Sequence, residues 1–282
     1  MIASRHFQAM GTEVELYVDA ADAAEALDAA EAEFHRLESI LTRFRPESEL
    51  SRLNAKGALE ACPELREVVG LALAAREDTG GRFDPTVHDA VVSAGYDRTF
   101  DDVPQNGTAV IVGARCGGGV LLDGERIVLD EGVRLDLGGI GKGFAAARAA
   151  ELLSAAGAAL VNAGGDVAVR GGSWPVGVPT SGGSLTLELN STALATSGRD
   201  RRRWRRDDRE LHHLIDPATG VPSESDLLRL TVVARDAVDA EVWAKALYLV
   251  GEHEAVREAD ERGLPCVLVT RDGRTRLAGG LA

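Results

Sequence analysis

The residues best able to do chemistry fall between positions 135 and 170, where LDLGGIGKGFAAARAAELL leads on to VNAGGDVAVR. Gly138, Gly139, Gly141 and Gly143 surround Lys142, and the turn runs straight into an Ala-rich segment. Glycine lets a backbone approach a ligand closely, because no Cβ intervenes. Backbone N–H groups at a helix start, with a lysine among them, form an anion site. The chemistry suggested is binding of a phosphate-bearing ligand. The turn is not a Walker loop, since no Ser or Thr follows the lysine, and it lacks GxGxxG spacing. A tight strand–helix connection would use the same residues.

Other constellations carry a functional reading and a plainer one. Asn162-Ala163-Gly164-Gly165-Asp166 follows a strand, so its acid could sit beside a ligand; Asn, Gly and Asp are also the usual hairpin-turn residues. Thr196 and Ser197 precede His212-His213-Leu214-Ile215-Asp216-Pro217 by about fifteen residues. Histidine is the natural general base near neutral pH, and a nearby Asp can orient it; Asp-Pro is equally a turn start. Phe83-Asp84 could stack on a flat ring and take its polar edge, or simply enter a turn. Glu241 and Lys245 stand at i and i+4 on an expected helix, the favourable order for a surface ion pair. As a hard-cation site that pair is poor, because the lysine adds positive charge beside the metal. Residues 199–210 hold seven arginines, four acids and one tryptophan, read as a solvated loop in preference to a phosphate or acidic-partner clamp.

The elements that must position these groups follow from periodicity. Residues 3–18 give two short strands broken at Met10-Gly11-Thr12, with Val14, Leu16 and Val18 alternating. Residues 22–41 form an amphipathic helix with Ala26, Leu27, Ala30, Phe34, Leu37 and Leu41 on one face. Residues 43–54 read as a polar loop. Residues 63–79 form a second helix, with Pro63 at its start and Gly80-Gly81 past its end. Residues 101–107 resemble a linker, a possible subdomain break in an otherwise single domain over 1–282. Short strands fill 110–137, separated by Gly117-Gly118-Gly119 and Asp123-Gly124. A helix over 142–156 and a strand over 159–162 follow, then strands at 186–189 and 227–234. Helices at 237–250 and 253–263 precede a closing strand at 266–270. Hairpins mixed with helices argue for α+β, with antiparallel or mixed sheets and packed helices.

Composition sets the outer bounds. The 282 residues are 45% hydrophobic, ample for a core. A net charge of −14 argues against nucleic acid as partner. Cys62, Cys116 and Cys266 are far apart and odd in number, so neither a disulfide framework nor a zinc site is expected. No run of about 18 apolar residues offers a membrane span. The first sixteen residues hold neither a basic nor an apolar leader region, which points to the cytoplasm.

Singly weak, these motifs are distinctive in their order. Met10-Gly11-Thr12, LTRFRPESELSRLN at 41–54, FDPTV at 83–87, LDLGGIGKGF, VNAGGD, ALATSG and HLIDPATG resemble the ApbE family of FAD:protein FMN transferases, over residues 6 to 252. The resemblance implies a T-fold-like α+β protein that binds FAD. With Mg²⁺ such a protein cleaves the pyrophosphate, joins FMN to a threonine or serine of an acceptor protein, and releases AMP; some members instead hydrolyse FAD to FMN and AMP.

Residue by residue, the resemblance places Met10 beside the flavin and Phe44 where many members carry tyrosine. Arg82, Phe83 and Asp84 match the adenosine side. Asp136, Gly138, Gly139 and Lys142 match the turn that wraps FAD, with the Gly139 carbonyl toward the metal. Asn162, Gly164, Gly165 and Asp166 match a second turn, and Thr196, Ser197 and Gly198 a third loop. His213 matches the base for the acceptor hydroxyl. Glu241 stands where the family has a metal-binding Asp, and Lys245 where it has a Thr. That departure leaves two rivals to transfer: an FAD pyrophosphatase, and an FAD-binding protein without catalysis.

Overall fold

A computed structural model of the chain describes residues 1–108 and 113–281. They divide into two compact units. The first comprises Met1–Glu38, Ile140–Ser197 and Ser225–Ala282, and the second Ser39–Gly139 and Gly198–Glu224.

Among the described residues, the first unit builds an eight-stranded sheet. Its strands, in spatial order, are Ile2–Ala9, Thr12–Asp19, Ala158–Ala163, Asp166–Arg170, Ala193–Gly198, Leu227–Ala234, Cys266–Thr270 and Thr275–Ala278. The first five pair antiparallel in succession, as do the last three. Period-two alternation assigns the faces. Val14, Leu16 and Val18 lie in register with Ala163, Val161 and Ala159, and all six are fully buried. Their face receives the helices, whose Ala145, Ala146, Ala149 and Ala150 are small enough to pack close. Leu160, Val167, Val169, Leu194 and Val267 fill the opposite face, against Val178 and Leu189 of the Trp174–Thr180/Gly183–Leu189 hairpin.

The expected helix over 22–41 is Ala24–Leu41, and that over 142–156 is Gly141–Ser154. The two late helices form one span, Ala237–Arg262, broken at Gly251, whose φ of 80° and ψ of 173° are non-helical. The sequence division at 250–253 therefore marks a real kink.

The second unit packs the helices Glu49–Lys56, Pro63–Asp78 and His88–Ser93 with a three-stranded sheet of Ala58–Glu60, Arg126–Leu129 and Val120–Asp123. Three readings change, two of them in this unit and the third in the first unit's sheet. The stretch 43–54 is not a loop throughout: Ser48 caps a helix at Glu49 by accepting the Ser51 N–H at 3.0 Å, and Leu50 and Leu53 anchor it. The arginine-rich segment is not a solvated loop. Arg203–Arg206 pairs with Arg209–His212 as a hairpin, and burial of Trp204 among Ala94, Tyr96, Val103 and Leu211 drives it. The Trp204 indole donates to the Ala94 carbonyl at 2.8 Å. The Ala195–Gly198 motif likewise lies on a strand, not on a loop. Of the strands expected over 110–137, the hairpin at Asp123-Gly124 forms, while positions 110–112 lie outside the described residues. The stretch 101–107 falls inside the second unit. Among the described residues no helix is long and apolar enough to cross a membrane.

Candidate functional site

In the first unit, Lys142 and Gly143 at the start of the Gly141–Ser154 helix meet the late helix at one charged cluster. The Gly141–Ser154 helix starts without a side-chain cap, which leaves its first-turn N–H groups to seek an acceptor. The Gly143 N–H donates to Glu241 Oε2 at 2.8 Å. The anion held at this helix start is therefore the chain's own carboxylate. Gly143 has to be glycine: a Cβ there would stand 2.5 Å from the Ala237 carbonyl oxygen and 3.1 Å from Glu241 Oε2.

Lys142 reaches from the same turn to two acids. Its Nζ donates to Asp166, at the start of the strand after the Gly164-Gly165 turn, and to Glu241 Oε1 at 2.8 Å. Lys245, one helical turn beyond Glu241, also donates to Oε1, at 3.1 Å. The carboxylates are 4% and 1% exposed and the two lysine side chains 16% and 18%. Burial pushes the Asp166 carboxyl up, against the pull of Lys142. Burial also works against ionised Glu241, but Lys142, Lys245 and the Gly143 N–H outweigh it and hold that carboxyl down at about 2. The Glu241–Lys245 pair read from the sequence thus forms, but its acid is buried instead of lying at the surface.

The magnesium implied by the resemblance does not fit this donor set. Both Glu241 oxygens and one Asp166 oxygen already accept from cationic or N–H donors. Among the described residues no group of three or more His, Cys, Asp or Glu side chains could hold a metal ion.

Sheet alternation separates other predicted residues. Asp166 and Ser197 lie on the face that receives the helices, whereas Asn162 and Thr196 lie on the opposite face. Asn162 donates to Glu15 Oε2 at 2.7 Å and accepts the Gly165 N–H at 2.9 Å, bracing the turn. The Thr196 hydroxyl sits 2.8 Å from that of Thr231. Gly164 and Gly165, at φ of 67° and 103°, form the two-residue turn that joins antiparallel strands. The motif forms a hairpin turn, and its Asp166 enters the charged cluster. Met10 is a non-glycine residue at φ 52°, and its N–H donates to Glu38 Oε1 at 2.8 Å.

In the second unit a further constellation forms around Arg43. Its guanidinium pairs with Asp136 Oδ2 at 2.8 Å and donates to the Tyr96 carbonyl at 2.7 Å. It also lies over the rings of Phe44 and Tyr96, 4.3 and 4.8 Å from their centroids. The other Asp136 oxygen accepts the Gly138 N–H at 2.7 Å and sets the glycine turn. Asp84 turns inward to Thr86, whose N–H and hydroxyl donate at 2.8 and 2.7 Å, with Arg76 at 3.3 Å. Phe83 is buried, and Arg82 Nε donates to the Thr79 carbonyl at 2.8 Å.

The paired histidines differ. His212 is buried between the Ser223 carbonyl at 2.9 Å and the Leu214 N–H at 3.3 Å, a structural pairing. His213 is partly exposed, its Nδ1 3.4 Å from the Arg202 carbonyl. Asp216 closes its own turn by accepting the Ala218 N–H at 2.9 Å. Arg43, Tyr96 and Glu15 are not singled out by sequence reasoning. The one available signal is the position of Arg43 inside the LTRFRPESELSRLN motif, directly before Phe44.

Fold and site define an α+β protein in which a glycine-rich turn delivers a lysine to a buried acidic pair. The ApbE family profile matches residues 10–268, and the chain belongs to that family. It is similar to the FAD:protein FMN transferase of Treponema pallidum, 28% identical and spanning 93% of this chain and 82% of that protein. The FAD:protein FMN transferase of Escherichia coli K12 is 26% identical over 91% and 80%. Among solved structures, the ApbE protein of Thermotoga maritima superimposes with a TM-score of 0.88 at 25% identity, covering 99% of this chain and 97% of that one. Flavinyl transferase ApbE of Pseudomonas stutzeri, at 21% identity over 99% of this chain and 95% of that one, shares the fold with a TM-score of 0.82.

Proposed function

We propose that this chain is an FAD:protein FMN transferase. It moves FMN from FAD to a threonine or serine hydroxyl of an acceptor protein and releases AMP. The observation that carries this reading is the family match over residues 10–268, a span containing the flavin-site motifs from Met10 to His213. In this reading the hydroxyl oxygen attacks the FMN-side phosphorus. A new phosphoester bond forms, the bond to the bridging oxygen breaks, and AMP departs with that oxygen. His213 takes the hydroxyl proton. Lys142 offsets the pyrophosphate charge, since phosphoryl transfer depends on charge stabilisation more than on covalent help. Met10, Phe44, Arg82, Phe83, Asp84, Asp136 and the glycines of both turns contact the flavin and adenosine parts.

The test is incubation of the protein with FAD and an acceptor peptide, reading FMN-sized mass gain on the peptide together with AMP. We expect both, and loss of both in His213→Ala while FAD binding persists. Equal AMP release with and without acceptor would instead make the chain a hydrolase, and bound FAD with no AMP a binding protein. A His213→Ala variant that loses FAD binding as well would remove that histidine from the role of base.

A further inference from the structure

The charged cluster of the first unit matches its buried carboxylates with ammonium groups one for one. Two buried carboxylates, Asp166 and Glu241, face two ammonium groups, Lys142 and Lys245. The placement of Lys245 follows from the helix itself: side chains four residues apart share one face, so Lys245 reaches Glu241 from its own helix, independently of the turn that carries Lys142. A hard divalent cation binds through carboxylate and carbonyl oxygens. To reach Glu241 Oε1 it would have to displace an ammonium 3.1 Å away, and the displaced charge, tethered to the same helix, would still repel it.

We propose that Lys245 is a second resident cation of Glu241, its ammonium standing beside that of Lys142, which bridges Glu241 to Asp166, so that the two together hold the position a divalent ion would otherwise take and the phosphate chemistry of this chain proceeds without such an ion. The clause on phosphate chemistry rests on the transfer reading above; the clause on the cation does not. An ammonium is a compact point charge with three donors. It can meet a diphosphate oxygen while Glu241 keeps its bonds to Lys142 and the Gly143 N–H.

Two measurements on the full chain test the two clauses separately. The first is Mn²⁺ binding to chelator-treated protein, followed by electron paramagnetic resonance, with thermal melts alongside. The unsubstituted protein should hold no Mn²⁺ up to roughly 1 mM, a range in which weak carboxylate sites already fill. Lys245→Thr, which removes one of the two ammonium groups on Glu241 Oε1 and leaves the Lys142 bond in place, should bind at least about tenfold more tightly. Lys245→Gln keeps a donor to Glu241 and the helix face, and should fall between the two. Stoichiometric Mn²⁺ on the unsubstituted protein overturns the proposal. So does failure of a folded Lys245→Thr to gain any.

The second measurement is AMP release from FAD in excess chelator. The unsubstituted protein should retain its rate within about twofold, while Lys245→Thr should lose about tenfold and recover with Mg²⁺. Restoration of an inactive unsubstituted protein by Mg²⁺ overturns the proposal. Absence of FAD turnover under every condition would sink the transfer reading, and the Mn²⁺ titration would still decide the identity of the cation.

Discussion

At the residue scale the molecule keeps its reactive-looking groups for structure as often as for chemistry. The three cysteines are an instance. Burial pushes the Cys62 thiol to about 11, with Glu64 and Glu49 adding to it. Cys116 reaches about 11 for the same first cause, reinforced by Asp84, Asp216 and Asp89, and Cys266 reaches about 12. The thiolate is the nucleophile. Alkylation of the native protein by iodoacetamide at neutral pH should therefore run about a hundredfold slower than on an ordinary thiol, because the thiolate population falls about tenfold for each whole number by which the pKa rises. The rate should keep climbing through pH 10; a plateau near pH 9 would show that burial does not govern these groups. Cys62 has a structural task besides, accepting the Leu65 N–H at 3.5 Å as a helix cap. The sequence offers Lys142, Asp166, Glu241 and Lys245 as separate candidates from three motifs, but not their union, because the link between positions 142 and 241 is made by tertiary packing alone. Arg43 escapes sequence reasoning for the same cause: only the folded chain brings Asp136 to it.

At the element scale, strands and helices with a single clean period are legible. The helices at 24, 63 and 141 and the strands at 158, 227 and 266 start within about two residues of expectation, the usual latitude of helix and strand ends. What escapes are elements whose side chains contradict their setting. Arg203–Arg206 carries three arginines, yet its tryptophan decides the outcome. The Glu49–Lys56 helix is mostly polar, and two leucines with a serine cap suffice. Packing of the Gly141–Ser154 helix against the Ala237–Arg262 helix depends on Gly143, where an added methyl group would press on the Ala237 backbone. Backbone cannot rotate away as a side chain can. Gly143→Ala should therefore cost about 1–3 kcal/mol in chemical denaturation, as overpacking does, and a neutral result would mean that the helices separate freely.

At the scale of the whole molecule, the two units are each assembled from distant stretches of chain. The second unit's aromatic core draws Ala90, Val91, Ala94, Tyr96 and Val103 from one segment and Trp204, Leu211 and Ile215 from another. A fragment of residues 39–139 lacks the second set and loses several of its largest buried groups. It should show no cooperative thermal transition, because losing several large buried groups, each worth a few kcal/mol, exceeds the small net stability of a domain; a sharp melt with dispersed amide resonances would refute this. The first unit has a related dependence. Its opening hairpin, Ile2–Ala9 with Thr12–Asp19, finds its next neighbour in Ala158–Ala163. During synthesis the Thr12–Asp19 edge must therefore stay unpaired while some 140 residues follow, an interval of about 7–30 s at ribosomal speeds. Over that interval a bare β-edge carrying Val14, Leu16 and Val18 stands open to any nascent neighbour, so this ribbon gains from chaperone cover until its own sheet can close.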